Sequence, residues 1–184
     1  MNLEDIIKGC KKNNSKAQGE LYRLYKDVLF VLCLKYCRDE AEAEDVLHNA
    51  FIKIFTKINS FKNVGSFEGW LKRITINIAI DSYKKNTKLL PIKDDYIEDT
   101  YLTEEEADQL SPDYILTLIQ QLPDQYRLTF SLYELDNYSH KEIAEMLTIS
   151  ESTSKSNLHR AKVILKEKIR RTDSTYNTIV SNGK

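Results

Sequence analysis

The stretch from Tyr138 to Ala161, YSHKEIAEMLTISESTSKSNLHRA, constrains the fold of this chain more than any other. Ser139 followed three residues later by Glu142 is a capping box, which marks a helix start. Ile143, Ala144 and Leu147 then supply one apolar face, and Ala144 is small enough for a second helix to cross closely. Ile149 returns to the core from the turn, and Ser150 can cap a second helix that carries Leu158, Ala161 and Leu165 inward. The pattern is that of a helix-turn-helix. Lys155, Ser156, His159, Arg160 and Lys162 lie largely on the other faces of the second helix. Basic and short polar side chains facing outward suit the DNA major groove, where Lys and Arg read guanine and Ser or Asn bridge to bases or phosphates. A helical hairpin with a solvated basic face has the same pattern, and this segment alone leaves both readings open.

The rest of the chain extends the helical pattern. With 184 residues there is room for one ordinary domain or two small ones. A content of 41% hydrophobic and 30% charged residues marks a foldable chain, and the scarcity of Gly and Pro favours an all-α fold. The net charge of −1 conceals segregation. Lys62, Lys72, Arg73, Lys84, Lys85 and Lys88 outnumber the acids of their stretch, and seven bases from Lys155 to Arg171 face only Glu167. Between these blocks runs an acidic divider, Asp94 to Asp108. No apolar run approaches the roughly 18 residues that span a bilayer, and the acidic start has no signal-peptide core, so a cytoplasmic location is expected. Cys33 and Cys37 stand four apart on a predicted helix, but no His or Cys completes a metal site with them. Together with Cys10 they read as buried reduced thiols.

Periodicity predicts two small helical domains. In the first, Leu21, Leu24, Tyr25, Val28, Leu29, Leu32 and Tyr36 form a stripe over residues 17–37. Ala43, Val46, Leu47, Ala50, Ile54 and Ile58 do so over 40–58, and Trp70, Leu71, Ile74, Ile78 and Ala79 over 67–85. Residues 1–87 form this bundle, 88–110 a flexible acidic linker, and 111–171 the second domain. That domain opens on Ser111-Pro112, with Pro at the first helical position. Residues 172–184 are a polar tail expected to be disordered.

Three blocks together resemble one family. Leu122-Pro123-Asp-Gln-Tyr-Arg127-Leu-Thr-Phe130-Ser-Leu132, followed by Tyr138 to Ala144, looks like the C-terminal domain of extracytoplasmic-function (ECF) sigma factors of the sigma-70 family. Ala43 to Ile54 resembles the helix with which those factors grip RNA polymerase, and Phe67 to Asp81 their promoter-melting helix. The blocks follow the family's order and spacing over most of residues 17–170.

The resemblance implies a factor that binds core RNA polymerase, recognises upstream and downstream promoter elements and helps to melt DNA. It implies no cofactor, no catalytic residue and no metal. Asp45 and Phe51 match the polymerase-binding motif, with His48 and Asn49 standing where Gln and an acid are common. Around the third helix, Lys62, Asn63, Trp70, Asn77, Lys84 and Lys85 combine aromatic, amide and basic groups suited to melted single strands. In the family the loop before this helix holds a base flipped from the downstream element, and Asn77 matches a DNA-contacting position. Trp70 stands equally at core spacing. Lys155, Ser156, His159 and Arg160 match positions that contact the upstream element as duplex, with Asn157 as neighbour. Thr148 replaces the usual turn Gly, and Ser154 the more common Val. Promoter DNA and core polymerase are the implied partners, together with the anti-sigma protein that commonly holds such factors.

Two other classes fit parts of the pattern. A stand-alone repressor with a dimerising bundle would bind a palindrome without polymerase. A metal-dependent nucleic-acid enzyme would use acids such as Glu42 and Asp45, but the paired Glu and His of helical di-metal sites are missing.

Overall fold

The computed structural model describes residues 2–86 and 111–181, with side chains described for 2–85 and 111–171. The chain divides into two compact units, residues 1–88 and 89–184. The predicted linker 88–110 and the last three residues lie outside the described residues.

The N-terminal unit has four α-helices: α1 (Leu3–Lys11), α2 (Ser15–Tyr36), α3 (Glu40–Lys57) and α4 (Phe67–Asn86), with a 3₁₀ turn at Ile58–Ser60 after α3. Short polar side chains start the first three. Asn2 accepts from the Asp5 amide, Asn14 from Ala17 and Asp39 from Glu42, each satisfying a helix donor that would otherwise lack a partner. Helix α2 is central and packs against α1, α3 and α4. Leu21, Leu29, Ile54, Ile58 and Leu71 are fully buried. At Gly9 an added Cβ would lie 2.6 Å from the Ala17 Cβ, so the missing side chain is what lets α1 approach α2 so closely.

Helix α1 is an addition to the three predicted helices of this unit. Two apolar stripes also shift. Leu24 and Val28 are exposed, whereas Ala17, Leu21, Leu29, Leu32 and Cys33 are buried where α1, α3 and α4 pack on α2. On α4 the core takes Leu71, Thr75, Ile76, Ala79 and Ile80, leaving Ile74 and Ile78 half-buried. The three cysteines are free and buried, and burial pushes the Cys33 thiol up to about 12.

The C-terminal unit contains α5 (Pro112–Gln120), α6 (Asp124–Phe130), a π-helical turn at Ser131–Leu135, α7 (His140–Leu147) and α8 (Glu151–Ser181). Ser111 caps α5 through the Tyr114 amide, with Pro112 in the first turn. Leu118, Ile119, Leu122, Tyr126, Ala161 and Leu165 form one core cluster of this unit, and Leu128, Leu132, Ile143 and Leu158 are buried as well. Arg127 is buried and ties the α5–α6 corner together. Its guanidinium donates to the carbonyls of Gln120 (3.2 Å) and Leu122 (2.9 Å) and pairs with Asp124 at 2.5 Å. Helix α8 continues to Ser181 in backbone, ten residues past the predicted end of the ordered domain at Arg171. The resulting fold is all-α among the described residues.

Candidate nucleic-acid and polymerase interfaces

The helix-turn-helix is formed by α7 and α8, which pack against each other. The capping box at its start is complete: the Ser139 hydroxyl accepts from the Glu142 amide, and the Glu142 carboxylate accepts from the Ser139 amide at 2.9 Å. Helix α7 ends at Thr148 in the left-handed conformation (φ 61°, ψ 47°), so this β-branched residue occupies a backbone region that favours glycine. Ser150 then caps α8 by accepting from the Thr153 amide at 3.0 Å.

Lys155, Ser156 and His159 are exposed on α8. Arg160 is half-buried, and its guanidinium donates to the Tyr126 hydroxyl at 3.2 Å. Lys162 is paired with Glu134 at 2.7 Å. Asn157, expected among the outward residues, is instead buried at 6% exposure. It falls in the inward stripe Ser154, Asn157, Leu158, Ala161, where i, i+3, i+4 and i+7 share a face. Its Nδ2 is buried without a hydrogen-bond partner. The buried Ser154 hydroxyl meets His140 Nδ1 at 2.9 Å, and the His140 ring stacks on Tyr133 with centroids 4.4 Å apart. Desolvation, then the nearby Lys155 charge, hold His140 below its ordinary pKa, with Glu151 opposing.

In the N-terminal unit, Trp70, Asn77 and Lys84 recur at seven-residue intervals on α4. Asn77 and Lys84 are exposed and Trp70 half-buried; Arg73 and Lys85 are also exposed. The stripe from Trp70 to Lys84 is about 21 Å long at 1.5 Å per residue. Trp70 belongs to an aromatic cluster, its centroid 5.5 Å from Phe61 and 5.7 Å from Phe67. Both functions expected of this side chain, packing and DNA contact, are open to it.

The loop before α4 forms a small arch. Phe61 at one end is buried; at the other, the Ser66 hydroxyl accepts from the Gly69 amide at 2.9 Å and caps α4. Lys62, Asn63, Val64 and Gly65 between them are exposed. Asn63 (φ 58°) and Gly65 (φ 76°) both adopt left-handed backbone, and Val64 at the tip is 85% exposed. The sequence did not single out Val64, since one apolar residue in a polar loop has no periodicity.

Asp45, His48 and Asn49 are exposed on α3. Asp45 and His48 line a groove of about 450 Å³ between α2 and α3, together with Tyr22, Phe30 and Leu47. Phe51 differs from them. It is buried, with its ring 4.7 Å from Tyr22 on α2 and 5.9 Å from Phe55, so it packs between the two helices. Among the described residues, no three His, Cys, Asp or Glu side chains are grouped to hold a metal ion. None of the described helices is long and apolar enough to cross a membrane.

Comparison with known proteins gives this geometry a family. Residues 21–89 match the model for Sigma-70 region 2, and residues 113–165 that for Sigma-70, region 4. The chain is 31% identical over 183 residues to the ECF RNA polymerase sigma factor SigW of Bacillus subtilis, covering 92% of this chain and 98% of that protein. It belongs to the ECF sigma factors. It is also 31% identical to SigM of the same organism, over 80% of this chain and 91% of that protein. In fold it is similar to the sigma factor RpoE of Bartonella quintana, solved in complex with the anti-sigma factor NepR. That match has a TM-score of 0.52 and 19% identity, and covers 84% of this chain and 97% of the other. As an ECF sigma factor, the protein recognises promoters for initiation by RNA polymerase.

Proposed function

We propose that three exposed surfaces divide the work of initiation. Asp45, His48 and Asn49 dock on core polymerase, with Phe51 holding the face of α3 in place. The Lys62–Gly65 arch and the Trp70–Asn77–Lys84 stripe, flanked by Lys85, capture the melted downstream strand. Lys155, Ser156, His159 and Arg160 read the upstream element as duplex, and Asn157 supports them from within α8. Residues 1–87 then act as region 2, residues 111–171 as region 4, and 88–110 as their linker. The protein works in the cytoplasm, where its polymerase and promoters are, and leaves all catalysis to the polymerase. An anti-sigma factor covering these surfaces is the matching mode of control.

The observation that carries this reading is the difference between the two exposed cationic faces. One joins cations to an amide, an aromatic ring and an arch with left-handed backbone, a combination suited to unstacked bases. The other is a regular helix bearing Lys155, Ser156 and His159, the form that enters a major groove. Opening a base pair costs a few kcal/mol in stacking and pairing, which a capture surface can offset.

The test compares Asn77→Ala with Arg160→Ala in reconstituted holoenzyme, mapping opened thymines with permanganate. Asn77→Ala should recruit polymerase but open poorly, and a pre-melted bubble should partly rescue it. Arg160→Ala should lose about 1–3 kcal/mol of duplex binding if it leaves Tyr126 for a base, and should gain little from the bubble. Equal rescue of both variants would overturn this division.

A further inference from the structure

We infer that α1 belongs to the strand-opening apparatus, with Lys11 as the positioning residue that anchors the base-capturing arch at its Phe61 end. The inference rests on the reading of the Lys62–Gly65 arch as the capture surface.

Three observations carry it. First, the Lys11 ammonium donates to the Phe61 carbonyl at 3.0 Å in a partly buried setting, a contact between residues 50 apart in sequence. Second, α1 is held firmly enough to act as a fixed point. Ile6, Ile7 and Cys10 are buried in the unit, Gly9 sits against Ala17, and α1 packs on the 3₁₀ turn just before Phe61. Third, the near end of the arch is otherwise held by local backbone bonding, the Phe61 amide donating to the Ile58 carbonyl at 3.2 Å. The Ser66 cap secures its far end, whereas the near end leads straight into exposed residues with left-handed backbone at Asn63 and Gly65. The Phe61 ring is already committed to Phe67 and Trp70, with centroids at 4.9 and 5.5 Å. Fixing the Phe61 carbonyl as well as its ring leaves the chain one direction in which to leave the aromatic cluster. Residues 3–11 lie outside the segment matched by the region 2 model, so this support comes from beyond the matched domain.

A charge-assisted hydrogen bond that positions a loop acts on preorganisation: the arch need not be ordered again when a base arrives. Lys11→Met keeps the length and apolar stem of the side chain but removes the donor. In holoenzyme on a promoter identified by run-off transcription, this variant should bind core polymerase like the parent. It should slow promoter opening by about threefold to tenfold, the scale of one such bond. It should also flatten the base preference for single-stranded oligonucleotides varied one position at a time across the downstream element, a readout that loss of stability alone would not move. Lys11→Arg should restore both properties. Lys8→Met, which removes a neighbouring exposed cation from the same helix, should change neither. Asn63→Gly tests the underlying reading, because it removes the amide and keeps the backbone freedom. If Asn63→Gly impairs opening while Lys11→Met behaves like the parent, the anchor is wrong and the arch stands. Equal losses in Lys8→Met and Lys11→Met would mean charge alone, and would also overturn the anchor. Normal opening and base preference in Asn63→Gly would remove the arch as the capture surface, and the inference with it.

Discussion

The two units bury different chemistry. Among the described residues, the N-terminal unit buries one polar side chain, Thr75, whose hydroxyl donates within its own helix to the Leu71 carbonyl. The C-terminal unit buries Arg127, Thr129, Ser131, Ser154 and Asn157. A four-helix unit with a long central helix can fill its interior with aliphatic and aromatic side chains. In the C-terminal unit three short helices, Pro112–Gln120, Asp124–Phe130 and His140–Leu147, pack on one long one, and each of their closely spaced ends leaves backbone groups that need partners. Arg127 meets that need at the α5–α6 corner, and Ser154 meets His140 across the helix-turn-helix. The N-terminal unit is therefore a packing problem, and the C-terminal unit a hydrogen-bonding problem as well.

Five substitutions break or sharpen that contrast. The largest effect is expected from Leu71→Ala, which deletes a fully buried side chain and should destabilise the N-terminal unit by about 2–5 kcal/mol in chemical denaturation. A loss under 1 kcal/mol would deny that packing dominates there. Next, Arg127→Met should cost the C-terminal unit about 2–3 kcal/mol, because it strips the donor from two carbonyls at a buried corner. Thr75→Val in the other unit should cost less than about 1 kcal/mol, since its hydroxyl bonds only to a carbonyl already in a helix. Equal losses from these two polar deletions would erase the distinction.

Thr148→Gly works in the opposite direction. Relief of the left-handed backbone at the end of α7 should stabilise the C-terminal unit by about 1 kcal/mol, read as a raised midpoint. The smallest effect concerns His140, whose pKa is lowered from 6.5 by desolvation and then by Lys155. The unfolded chain takes up this proton first as pH falls, so the unfolded state binds more protons in the window below 6.5. The contribution of His140 is thus complete above that value and declines as pH falls through it toward the folded pKa. Denaturation of the wild type and His140→Asn from pH 7.5 to 5 should show the extra decline only in the wild type.

Local signals in the sequence predicted the helical elements well. The Ser139–Glu142 capping box, the Ser111-Pro112 start and the Glu40 and Phe67 starts all appear in the structure, because a cap acts within one turn of chain. The apolar stripe of α3, Ala43 to Ile58, is buried as its spacing predicts. Helix α1 was not anticipated from its nine residues, although Asn2 caps it and Ile6, Ile7 and Cys10 share its inner face. A stripe that short acquires meaning only once α2 offers Ala17 and a gap at Gly9.

The sequence by itself determined that the chain is helical, that it forms two helical units, and where the cations and amides of the candidate interfaces stand. Tertiary structure decided which of those side chains face outward. It left Leu24 and Val28 exposed, turned Asn157 inward, buried Phe51 against Tyr22, and drew Arg160 to Tyr126. It also joined Lys11 to Phe61 across 50 residues. The reason is reach: periodicity places a residue on a face of its own helix, whereas burial depends on which neighbouring helix covers that face.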